Sequence, residues 1–121
     1  MYRFKYNISI VKVKGKKMIQ VYHHDFETRT DALVAEVLTD SLESAYHMTQ
    51  NLNGSWSKTR LMFVDDRLVK NPDFHPEVQV MAPLHVRDGR EYGLRSSMMG
   101  DIMVKDGKKY RVAMVGFKEV A

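Results

Sequence analysis

The stretch Arg95-Ser96-Ser97-Met98-Met99-Gly100-Asp101-Ile102-Met103-Val104-Lys105-Asp106-Gly107-Lys108-Lys109-Tyr110-Arg111-Val112-Ala113-Met114-Val115-Gly116-Phe117 reads as a loop running into one tight β-hairpin. Ile102, Val104, Tyr110, Val112 and Met114 share a face if Lys105-Asp106-Gly107 is a three-residue turn. That turn pairs Ile102 with Tyr110 and puts Gly107 where φ must be positive. Met103, Lys109 and Arg111 then lie on the opposite face, so the hairpin covers a core with one side and meets water or a partner with the other.

Working outward, the other end of the chain carries the same signal. Tyr2, Phe4, Tyr6, Ile8 and Ile10 alternate with polar residues, the period of a half-buried strand. The apolar parity switches at Ile10-Val11, which predicts a β-bulge. Lys14-Gly15-Lys16 then turns the chain into a second strand over Met18 to Phe26. Glu27 to Asp31 reads as a loop, and the β-branched run Ala32 to Leu38 as a third strand.

Asp40 and Glu43 have the spacing of a capping box, and Leu42, Ala45, Tyr46, Thr49 and Leu52 recur at helical spacing as far as Gly54. The expected helix runs from about Ser41 to Asn53. Leu61 to Val64 reads as a short strand, turned by Asp65-Asp66 into Arg67-Leu68-Val69. Asn71-Pro72 and His75-Pro76 mark loop, Val78 to Leu84 reads as a short strand, and Val86 to Ser97 is a flexible connection or a weakly signalled hairpin. The expected fold is a single domain over 1–121 of the α+β class. It has a twisted, largely antiparallel sheet with one main helix and a C-terminal β-hairpin.

Length and composition agree with one core: 121 residues, 44% hydrophobic and 28% charged. No apolar run reaches the ~20 residues a membrane helix needs, and the alternating start is unlike a secretory signal. There is no cysteine, so disulfides, thiolate metal sites and cysteine nucleophiles are excluded. The net charge of +4 is unevenly spread. Arg3, Lys5, Lys12, Lys14, Lys16 and Lys17 precede any acid, whereas Asp25, Glu27, Asp31, Glu36, Asp40 and Glu43 face a lone Arg29 before the balance turns basic again at the C-terminus. Such a division favours an anionic or charge-complementary partner.

Two segments carry a resemblance. The order basic-Ser-Ser at Arg95-Ser96-Ser97, then Gly100-Asp101, an apolar strand, Asp106-Gly107, Tyr110, Val112 and Gly116-Phe117-Lys118-Glu119 resembles the C-terminal signature of small bacteriophage and mobile-element proteins of unknown function, including the YodL-type domain. Asp40 through Trp56 resembles the helix that precedes that ending, with Gln50 where an Asn is usual and Met98-Met99 where a Ser or Thr and a Val are usual. The resemblance implies a fold and a setting in a bacterial host cytoplasm, and it assigns no site residues.

The residues offer few recognisable reaction centres. His23-His24-Asp25 points its two imidazoles to opposite faces of a strand, and His47, His75 and His85 are scattered, so rim histidines are expected and no metal residues are assigned. Asp65-Asp66 and Asp101 with His85 are the acid-base pairs worth weighing. The first reads as a turn. Asp101 reads as a local acceptor whose carboxylate takes backbone N–H groups where the loop enters the hairpin. Phosphate loops, nucleophile elbows and zinc-protease motifs are absent, so catalytic residues and cofactors are expected to be none.

Binding remains. Lys14, Lys16, Lys17, Lys105, Lys108, Lys109 and Arg111 could line a basic surface for weak, salt-sensitive nucleic-acid binding, with Tyr2, Tyr6, Tyr22 or Trp56 available to stack a base. The bland alternative makes the lysines edge protection and Trp56 a lid over the core. Met98, Met99 and Met103, among nine methionines, form a candidate protein contact. Exposed strand edges offer homodimerisation as a further route. The expectation is a non-enzymatic accessory protein that binds a host or phage macromolecule, foremost a protein.

Overall fold

The computed structural model describes residues 17–120. The expected strand from Tyr2 to Ile10, the bulge at Ile10-Val11, the turn at Lys14-Gly15-Lys16, and the contact candidates Lys14 and Lys16 lie outside the described residues. What is described is mostly antiparallel sheet with one short helix.

Strands β1 (Ile19–Asp25), β2 (Thr30–Val37), β5 (Val78–Val80), β8 (Ile102–Lys105), β9 (Lys108–Val112) and β10 (Phe117–Val120) form a six-stranded sheet. Their order is β10-β9-β8-β1-β2-β5, and every neighbouring pair is antiparallel. Two small ribbons stand apart: β3 (Leu61–Val64) with β4 (Arg67–Lys70), and β6 (His85–Arg87) with β7 (Arg90–Tyr92). The second begins at His85 and otherwise lies in the stretch from Val86 to Ser97 that sequence left open.

Alternation along β1 sends Ile19, Val21 and His23 to one face, where they meet Ala35 and Val37 of β2, Met103 of β8 and Trp56. A register shift between Val21 and Tyr22 opposite Val34 lets that extra residue enter the core as well. Burying each of the Ile, Val and Met side chains is worth roughly 1.5–3 kcal/mol, which makes this face the stability centre of the sheet.

The C-terminal hairpin reverses through two residues instead of three. Lys105 pairs with Lys108, Met103 with Tyr110 and Ile102 with Arg111. Asp106 (φ 51) and Gly107 (φ 76) are both left-handed, the pattern of a type I′ turn, whose twist matches that of the strands. The one-residue difference moves Met103, Tyr110 and Val112 to the core face and Ile102, Val104, Lys109 and Arg111 to the other. Asp65 and Asp66 turn their ribbon in the same way, at φ 52 and 62.

The helix is shorter than its spacing suggests. α1 spans Leu42–His47 and packs Ala45 onto the core. Ser41, not Asp40, is the N-cap, accepting the Ser44 N–H at 3.1 Å, so no Asp40/Glu43 capping box forms. The helix stops because Thr49 Oγ1 donates to the Ala45 carbonyl (2.9 Å) and the Tyr46 carbonyl (3.1 Å), with Gln50 Nε2 donating to the latter as well (3.0 Å). These side chains satisfy carbonyls that another helical turn would have used. Gly54 is not the left-handed stop, since its φ is not positive.

Candidate functional site

The residues that carry the sequence signature converge on one buried polar cluster. Residues 94–97 run alongside 49–57, and the two segments stitch together almost bond for bond. Ser97 N–H donates to the Thr49 carbonyl (2.9 Å) and Asn51 N–H to Ser96 Oγ (2.7 Å). Gln50 Nε2 donates to the Ser97 carbonyl (2.9 Å), Asn51 Nδ2 to the Leu94 carbonyl (3.0 Å) and Trp56 Nε1 to the Arg95 carbonyl (2.8 Å). Trp56 is therefore both core and anchor, 1% exposed.

Asp101 lies at the bottom of this cluster, fully buried. Its carboxylate takes both guanidinium nitrogens of Arg95, Nη1 on Oδ2 and Nη2 on Oδ1, each at 2.8 Å. Its two oxygens also accept the His24 N–H on β1 and the Met98 N–H of its own loop, again at 2.8 Å. One side chain thus ties β1, the 95–101 loop and the start of β8 together. Burial pushes its pKa up, but Arg95 and the two N–H groups prevail and hold it below the usual carboxylate range. The hydrogen bond and charge of Asp101 in turn raise the Arg95 pKa. The local-acceptor role is what the geometry shows; Arg95 as bidentate partner was not read from sequence, and His85 does not enter the cluster, being exposed on β6.

His23 corrects the rim-histidine expectation, because its strand parity sends it to the core face beside Trp56, rings edge-to-face at 6.0 Å. Its Nε2 lies 3.1 Å from Ser97 Oγ, which lies 2.7 Å from Thr49 Oγ1. Carbonyls only accept, so the Thr49 hydroxyl spends its proton on Ala45 and Tyr46. It must then accept from Ser97, whose oxygen in turn accepts from an Nε2-protonated His23. Burial lowers the His23 pKa from 6.5 to about 4, with Asp101 raising it and Arg95 lowering it. Asp101 Oδ2 approaches the same nitrogen at 3.8 Å, not the far one. A Ser-His-Asp relay requires the base nitrogen to receive the serine proton and the acid to hold the other nitrogen; here both conditions fail.

A second carboxylate is used the same way. Asp73 Oδ2 accepts the consecutive N–H groups of Leu52 (2.7 Å), Asn53 (2.8 Å) and Gly54 (2.6 Å). Burial raises its pKa, and the three donors outweigh that to leave it lowered. This concavity of amides resembles an anion nest already filled by the chain itself. Among the described residues no three His, Asp or Glu side chains are placed to hold a metal ion.

The contact candidates separate. Lys17 Nζ reaches Asp106 at 3.4 Å, which brings it to the β8–β9 tip with Lys105, Lys108 and Lys109. Arg111 donates to the Gly100 carbonyl at 3.1 Å. Met98 (44%) and Met99 (53%) are exposed on the loop, but Met103 is fully buried on the core face and cannot touch a partner. Sequence reasoning passed over the more exposed apolar surface. On the β3–β4 ribbon, Phe63 (73%) and Leu68 (56%) are cross-strand neighbours in water, flanked by Leu61. Facing them across a cleft of about 880 Å³ are Arg90 and Tyr92 of the β6–β7 ribbon.

Among the described residues no helix is long and apolar enough to cross a membrane. Comparison with family models, curated proteins and solved structures finds no match to this chain.

Proposed function

We propose that this chain is a non-enzymatic accessory protein of a bacteriophage or mobile element that works in a bacterial cytoplasm by binding a host or phage protein. The setting rests on the resemblance of residues 40–56 and 95–119 to small proteins of that kind. The carrying observation is the cross-strand pair Phe63 and Leu68, held in solvent on a ribbon outside the main sheet. Apolar side chains presented this way lower the free energy of the protein only when another surface covers them. The polar cluster at Asp101 supports the same reading, because its carboxylate, serine and imidazole are spent on the chain's own backbone and side chains.

The test is crosslinked affinity capture from infected host cells with the native chain and with Phe63→Asp and Leu68→Asp. One stoichiometric protein captured by the native chain and lost with both variants is the expected result. Capture that is unaffected by either change, or that follows nuclease treatment instead, counts against the reading.

A further inference from the structure

Among the described residues β10 is an edge strand, and its pairing with β9 shows which of its backbone groups point away from the sheet. Ala113 N–H donates to the Gly116 carbonyl at 3.0 Å, closing the turn into β10. Antiparallel ladders alternate between bonded and non-bonded residues, so Lys118 and Val120 spend their backbone groups on Arg111 and Lys109. The N–H and C=O of Phe117 and Glu119 therefore point away from the sheet, with no partner strand among the described residues.

The two faces flanking that edge differ in chemistry. On the outer face Lys118 sits directly opposite Arg111, with Lys109 opposite Val120. Like charges in direct cross-strand register repel. Among the described residues neither Lys109 nor Lys118 makes an ion pair, and Arg111 reaches only a backbone carbonyl. On the core face Phe117 meets Tyr46 edge-to-face at 6.2 Å, and a cleft of about 930 Å³ opens beside them, lined by Leu42, Val112 and the exposed Met114. Its charged lining is mixed, Asp40 and Glu43 with Lys105, beside His47.

From this geometry we infer that β10 accepts an extended segment of a partner protein, as a seventh antiparallel strand whose side chains alternate acidic and apolar. The added backbone bonds to Phe117 and Glu119. Acidic side chains face Lys118 and Arg111, and apolar ones enter the cleft beside Phe117, Leu42 and Val112. A second copy of this chain fits poorly, since pairing β10 with itself brings two more cations beside Lys118 and Arg111. The inference goes beyond the proposed function and occupies a different surface from Phe63 and Leu68, so either can fail alone.

The probe is a capped, fluorescein-labelled peptide of alternating Glu and Val, seven residues long, titrated into the full chain and followed by anisotropy and by ¹⁵N amide shifts. Shifts confined to residues 109–120 and to the cleft residues 40–47 are expected. Affinity should fall about tenfold or more with Lys118→Glu and with Glu119→Pro. Proline at 119 removes an outward donor and leaves the β9 ladder intact, a position where edge strands tolerate it. Unchanged amide dispersion verifies that the variant is folded.

Five results overturn the inference. The first is no binding of the peptide at up to millimolar concentration, and the second is binding to Glu119→Pro as tight as to the native chain. The third is binding only after residues 1–16 are removed, which gives the edge to that segment. The fourth is a dimer of the native chain that Glu119→Pro dissociates. An oligothymidylate that outcompetes the peptide at the same amides and ignores Glu119→Pro assigns the basic strip to phosphates, and overturns it equally.

Discussion

Arg95 and Asp101 meet through two parallel 2.8 Å hydrogen bonds in which the carboxylate is wholly buried and the guanidinium only partly so. This asymmetry decides what each truncation costs. Asp101→Asn leaves a guanidinium that still reaches water and two carbonyls, and replaces an acceptor with a donor opposite N–H groups, so the expected loss is about 1–3 kcal/mol. Arg95→Leu strands the buried carboxylate and should cost more, about 3–5 kcal/mol, the range for breaking a buried pair from one side. Arg95→Leu combined with Asp101→Leu should cost less than the sum of the single changes, though the His24 and Met98 N–H groups remain unsatisfied at about 1–3 kcal/mol each. Urea midpoints at constant m-value measure both.

His23 gives the fold an acid-sensitive window. Its pKa is about 4 in the folded chain against the ordinary 6.5 of an unfolded one, so the unfolded state takes up the proton first as pH falls. Stability should be complete above pH 6.5 and decline from there to about pH 4, by at most about 3 kcal/mol. Below that, Asp101 and Asp73, whose folded pKa values are lowered, add their own losses as they protonate. In His23→Gln the decline between pH 6.5 and 4 should vanish from a pH series of denaturation curves while the lower limb persists.

Gly100 adopts φ +100, and a Cβ there would sit 2.8 Å from Phe26 Cζ. Gly100→Ala should therefore destabilise by more than 1 kcal/mol from the backbone alone. Adding Phe26→Ala relieves the steric part and leaves the conformational part, so the double variant should recover some but not all of the lost melting temperature.

Asp73→Ala orphans the Leu52, Asn53 and Gly54 amides together, and about 1–3 kcal/mol in all is expected, because water can reach these part-buried donors. The damage should be local first. Hydrogen exchange at residues 52–54 should accelerate well before exchange at β1, which a global loss of stability would not produce.

Strands were the legible part of this sequence, and the reason is visible in β1 and β2, where β-branched residues alternate or cluster around sharp turns. The turn at Asp106-Gly107 was legible in place but not in length, because a shift from three residues to two changes no residue, only which ones face inward. The over-long helix has a different cause. Leu42 through Leu52 keep helical spacing, yet Thr49, Gln50 and Asp73 redirect the backbone groups of that segment, and such competition is invisible to periodicity. The cluster itself was half-legible. Asp101 announced itself as an acceptor beside a glycine, whereas its partners His23 and His24 lie more than 75 residues earlier, joined to it only by the pairing of β1 with β8.

That pairing also dictates an order of events on the ribosome. β1 finds β2 within seconds of synthesis, but Tyr22 waits for Ile102. At roughly 5–20 residues per second, β1 goes without its β8 partner for on the order of ten seconds. The length of that pause is fixed by the helix, β5 and the two ribbons inserted between Val37 and Ile102.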